Sequence, residues 1–72
     1  MQFEYFCIPE TNCLPDGTRF PTCAVQCVCR NRTICFHDVS VNAKFTEHLC
    51  QICTEAQVDP CHFLDIVYDL SP

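Results

Sequence analysis

The chain has no tryptophan, a single glycine and, beyond Lys44, no lysine or arginine. Each scarcity narrows the field. No apolar run approaches the roughly 20 residues that a membrane-spanning helix needs, so no membrane association is expected. No low-complexity tract occurs, and the 72 residues read as one small domain, 1–72. No secretory leader is visible, because Met1-Gln2-Phe3-Glu4 lacks a basic start and the apolar residues after it are interrupted. A secreted form would therefore begin at Met1 in place of a removed leader. With Gly17 as the sole glycine, Leu14-Pro15-Asp16-Gly17 is the strongest turn signal. Proline pre-sets φ there and glycine takes the left-handed position.

The missing bases set the charge pattern. Residues 1–44 balance four acids with four bases, whereas 45–72 carry Glu47, Glu55, Asp59, Asp65 and Asp69 alone. The net charge of −5 therefore sits in the C-terminal part. That excludes nucleic acid and anionic membrane as natural partners and favours a basic patch on a protein. The plainer alternative is that these acids keep an apolar segment soluble.

What is abundant is cysteine: Cys7, Cys13, Cys23, Cys27, Cys29, Cys35, Cys50, Cys53 and Cys61. This exceeds the roughly 8–10% that marks a disulfide scaffold. A chain this short buries only about 60% of its unfolded surface, so it gains from staples, each contributing about 2–5 kcal/mol. All nine are assigned to a disulfide framework, with one left free or paired between chains; otherwise the protein is a monomer. The hub is Cys23 to Cys35, where Cys27 and Cys29 share one face of a strand. A zinc reading is the alternative, using Cys27-Val-Cys29, Cys50-Gln-Ile-Cys53 and the nearby His37, His48 and His62. Thiol chemistry at Cys50 and Cys53 would need a helix N-terminus to activate it. No cofactor, metal or enzymatic activity is expected.

The expected fold is small, disulfide-rich and mainly β, with short antiparallel strands and hairpins and a short C-terminal helix. Residues 3–8 suit a strand, and 18–20 a second that stops near Pro21. The hub forms strands around 24–29 and 33–36, with Asn31-Arg32 at the hairpin tip. Asn31-Arg32-Thr33 is also a glycosylation acceptor. Val39, Val41, Ala43 and Phe45 alternate with polar residues and predict a further strand, and 46–57 reads as a polar knuckle. In the acidic-apolar segment 58–72, Phe63, Ile66, Val67 and Leu70 fall on one face of a helix. Asp59 would cap it, with Pro60 at its first position.

The stretch 13–53 resembles a degenerate von Willebrand factor type C domain. The resemblance rests on Cys13, Asp16-Gly17, Phe20, Cys23, Cys27-Val-Cys29, Cys35 and Cys50-Gln-Ile-Cys53. That family normally has ten cysteines; here Leu49 replaces one of the closing pair, two more are missing from 36–49, and Cys7 and Cys61 are extra. The resemblance implies a secreted, extracellular binding module. Such domains bind growth factors, and short acidic versions resemble the small salivary inhibitors of blood-feeding ticks that hold complement component five away from its convertase. The expected function is therefore steric inhibition of a host plasma protein, complement component five first. Alternatives are a thrombin-type clotting-protease inhibitor using the acidic tail, or a growth-factor binder. Contacts are assigned to Phe63, Leu64, Asp65, Tyr68 and Asp69, apolar anchors rimmed by charge.

Overall fold

Three strands follow one another as antiparallel neighbours: β1 (Phe3–Cys13), β2 (Arg19–Cys29) and β3 (Arg32–Ser40), in sheet order β1-β2-β3. Two helices follow, α1 (Ala43–Glu55) and α2 (Phe63–Leu70), the second entered through a 3-10 turn at Pro60–His62. The computed structural model describes residues 2–71.

The strands are longer than their local sequence predicts. β1 runs through Pro9 to Cys13, which an edge strand tolerates because its outer N–H groups need no ladder partner. β2 likewise continues through Pro21. At that point it has a neighbour on one side only, since its pairing with β3 ends at Cys23 and Ser40. The Leu14–Gly17 turn forms as expected. Gly17 N–H donates to the Leu14 carbonyl at 2.9 Å, and Gly17 adopts a φ of +91°. The second hairpin tip is Arg30-Asn31 rather than Asn31-Arg32, because Cys29 pairs with Arg32. Arg30 takes the positive φ there, +50°. Near its end β3 bulges: Phe36 pairs with Val25 and Ser40 with Cys23, leaving Asp38 between them at φ +55°.

The strand expected over Val39–Phe45 ends at Ser40. Asn42 stops it: its backbone is extended, and its side chain accepts from the Phe45 N–H at 3.0 Å, capping α1. The knuckle expected over 46–57 is therefore mostly helix. Leu49, Cys50 and Cys53 face inward from it. Thr46 is fully buried but satisfied, its hydroxyl donating to the Asn42 carbonyl at 2.9 Å.

α1 ends in a Schellman arrangement. Val58 N–H donates to the Cys53 carbonyl at 3.0 Å and Gln57 N–H to the Thr54 carbonyl at 3.2 Å, with Gln57 at φ +52°. Glycine would be easier at that φ, but the glutamine side chain has another task. Its Oε1 accepts from Phe3 N–H at 2.9 Å and its Nε2 donates to the Phe3 carbonyl at 3.0 Å. Thr54 Oγ1 accepts from Tyr5 N–H at 3.0 Å. Two helix-end side chains thus occupy the free edge of β1, as a fourth strand would.

Both helices cover one face of the sheet. That face carries Phe3, Tyr5 and Cys7 of β1, Val25, Cys27 and Cys29 of β2 and Phe36 of β3, and the core packs there against Leu49, Cys50, Cys53 and Phe63. Phe63 is the anchor of α2. It is 0% exposed and its ring lies 5.3 Å from Tyr5 and 4.5 Å from Phe36. The Tyr5 hydroxyl donates to the Val58 carbonyl and fixes the chain between the helices. The domain is small and its apolar core correspondingly thin. Phe63→Ala is therefore expected to cost about 3–5 kcal/mol, most of the stability of a domain this size. Urea denaturation followed by circular dichroism would show the loss as a collapsed midpoint.

Candidate interaction surface

The five contact candidates separate once the helix is placed. Phe63 points into the core and is removed from the contact set. Leu64, Asp65, Tyr68 and Asp69 remain exposed. Leu64 and Tyr68 are four residues apart, as are Asp65 and Asp69, so on the helix they form one strip, one turn long. Tyr68 is 85% exposed, the most open large apolar side chain among those described. Leu70, expected on the inner face with Ile66 and Val67, is half-exposed at the end of the helix and lies away from the strip.

The charges on this strip follow from the missing bases. Asp65 lies in the first turn, where the helix dipole favours it; Asp69 lies in the last, which holds no base. An acid there costs roughly 0.3–1 kcal/mol. Asp59, expected to cap the helix itself, instead caps the 3-10 turn that leads into it, its Oδ1 accepting from Cys61 N–H at 3.0 Å, and that bond lowers its pKa.

Elsewhere the surface offers two further features. Asn31 is exposed on its two-residue hairpin loop, with Thr33 exposed beside it, so the acceptor sequence is accessible. An open groove of about 550 Å3 lies between this hairpin and the 3-10 turn. Its floor holds Phe3, Ile34 and Phe36, its rim Arg30, Arg32 and Asp59, and both Cys29 and Cys61 line it.

All nine cysteines carry free thiols, so the framework expected from their number is not closed in this structure. Cys23, Cys27, Cys50 and Cys53 are buried and Cys7 and Cys29 partly so, while Cys13, Cys35 and Cys61 are exposed. The structure gathers the first six between sheet and helices. Burial pushes the Cys7 thiol up to about 11, helped by Cys23 beside it. Burial and the neighbouring Cys7, Cys53 and Cys23 push Cys50 up to about 12. Burial also raises Cys27 and Cys53, and the Asp59 carboxylate raises Cys61. These thiols are protonated at neutral pH, the opposite of the activation a nucleophilic cysteine needs. Cys50 and Cys53 lie inside α1 rather than at its N-terminus.

The zinc alternative gains no geometry. Among the described residues, no group of three or more His, Cys, Asp or Glu side chains is arranged to hold a metal ion. His37 meets Glu10 instead, Nδ1 to Oε2 at 3.0 Å. No helix is long and apolar enough to cross a membrane.

Comparison with family models, with curated proteins and with solved structures found no match for this chain.

The raised thiols set an alkaline limit. In the unfolded chain a cysteine titrates near its ordinary value of 9.0, whereas Cys50 holds its proton to about 12. Between those values the unfolded state binds fewer protons, so stability is complete below pH 9 and falls as pH rises toward 12. In reducing buffer, the loss due to Cys50 is expected to be on the order of 1 kcal/mol per pH unit above 9. Urea midpoints measured from pH 8 to 11 check this.

Proposed function

We propose that this protein is a non-catalytic binding module that presents the strip Leu64, Asp65, Tyr68 and Asp69 to a basic surface of a partner protein. The observation that carries this reading is the exposure of Leu64 and Tyr68 on a helix anchored from beneath by Phe63. Anchored apolar side chains lose little freedom on binding, so a small contact can still be tight. The acids beside them add steering and choice of partner. Asp69 opposes the helix dipole with no base to offset it, a local cost that a basic partner would remove.

The class of partner rests on the resemblance to von Willebrand factor type C domains. Under that reading the protein is secreted and acts on an extracellular host protein, and complement component five is the first to test. The mechanism is steric: the domain covers a surface that an activating enzyme must reach. The mainly β architecture, a three-stranded antiparallel sheet with crowded cysteines, is compatible with such a module.

The test is binding of the immobilised protein to complement component five, alone and in plasma. Tyr68→Ala is expected to weaken binding more than tenfold, with the urea midpoint unchanged. Asp69→Lys should weaken binding while raising the urea midpoint slightly, because a base suits the last turn. Deleting everything after Cys61 is a poorer test, since it removes the Phe63 anchor as well. Failure to bind component five, with capture of a clotting protease or a growth factor instead, moves the reading to that partner. Binding that survives both substitutions removes the strip from it.

A further inference from the structure

We propose that Asn31 carries an N-linked glycan whose first sugars lie in the groove between the β2–β3 hairpin and the 3-10 turn. The proposal rests on the secreted reading above, because that route supplies the sugar donor. Asn31-Arg32-Thr33 is a complete acceptor sequence, with no proline at its middle position. Asn12 and Asn42 have no serine or threonine two residues on, so the chain offers one acceptor. The fold turns it outward. Cys29 pairs with Arg32, which leaves Arg30 and Asn31 as the loop, and Asn31, Arg32 and Thr33 are all exposed. A bulky group at this tip displaces no packed side chain.

Turn chemistry does not account for the asparagine. Such loops favour it because it tolerates a positive φ. Here the positive φ falls on Arg30, at +50°, and Asn31 has none. The residue best suited to the strained position stands one place away from it.

The groove supplies the second half of the inference. Asn31 is one of its lining residues, so a sugar on that side chain starts at the groove wall. Its volume of about 550 Å3 suits a small ligand. Phe3, Ile34 and Phe36 form an apolar floor, and a sugar ring has a face of C–H groups that can cover it. Arg30 and Arg32 at the rim offer N–H donors to the hydroxyl and acetamide oxygens at the ring edge. A tethered sugar is present at high effective concentration, so weak contacts are enough to seat it.

The donor is an oligosaccharide linked to a lipid diphosphate. The Asn31 side-chain nitrogen attacks C1 of its first sugar and loses one proton. The N–C1 bond forms as the bond from C1 to the diphosphate oxygen breaks. The lipid diphosphate leaves with that electron pair, and nothing is oxidised or reduced.

The experiment is to express the full chain behind a secretory leader in animal cells and map its glycans by mass spectrometry. The expected product carries one glycan, on Asn31, and enzymatic release leaves a carboxylate at that position. Asn31→Gln and Thr33→Ala should each be secreted without it. An unmodified chain in the medium, or a glycan that persists in either variant, overturns the proposal. For the groove, the glycan is trimmed to its first sugar and the protein studied by nuclear magnetic resonance. Overhauser contacts from that sugar to the Ile34 methyls and the Phe36 ring are expected. The trimmed form should also melt about 4 °C above Asn31→Gln. A sugar with no contact to Ile34 or Phe36, and no change in melting, removes it from the groove and overturns the proposal. Partner binding through Leu64 and Tyr68 is read separately, so an empty Asn31 leaves that surface standing, and an idle surface leaves the glycan site.

Discussion

The fold depends on how the edge of β1 is closed. A three-stranded sheet has two edges, and β1 presents one of them directly beside the core. Gln57 fills the first position there with a side-chain amide that accepts from and donates to the backbone of Phe3. Thr54 takes the next N–H, and the Tyr5 hydroxyl ties down the Val58 carbonyl. These few bonds set where α1 stops, how the chain leaves it and where Phe63 enters the core. They also explain an unfavourable backbone. Gln57 sits at φ +52°, where glycine would be strain-free, because glycine has no amide to give.

Cysteine here behaves first as a small apolar residue. Buried at Cys23, Cys27, Cys50 and Cys53, the thiols fill the space between sheet and helix that larger aliphatic side chains fill in larger domains. The protons of Cys27, Cys50 and Cys53 stay on at neutral pH because burial disfavours the charged form. Packing and cross-linking are therefore compatible uses of the same atoms. With every thiol free, the protein already has a packed core. The apolar strip on α2 is on the opposite side of this division: Phe63 belongs to the core, while Leu64 and Tyr68 look outward one residue or a turn away.

Much of this was legible in the residues. The first turn follows from Pro15-Asp16-Gly17, the central hairpin from the β-rich hub, and α2 from the spacing of Phe63, Ile66 and Val67 with Asp59 and Pro60 ahead of them. That same spacing already places Phe63 with the buried residues, so its assignment as a contact went against the helical pattern. The stretch Val39–Phe45 misleads for a physical reason. Its alternation fits a strand, but Asn42 caps a helix three residues into it, and the competing turn bond decides the outcome. The role of Gln57 has no sequence signal at all. It depends on a helix end and a strand start that are 54 residues apart in the chain.

The other edge of the sheet is left uncovered, and the bulge in β3 bears on how the protein behaves when concentrated. Asp38, turned to φ +55° and held by the Thr22 hydroxyl at 2.8 Å, interrupts the regular row of backbone groups that a second strand would copy. Arg32 and His37 add polar side chains along the same strand. A stacking neighbour would meet a kink and a buried-charge cost instead of a flat template. The irregularity thus works against edge-to-edge pairing of two copies through β3, even on a chain that exposes Phe6.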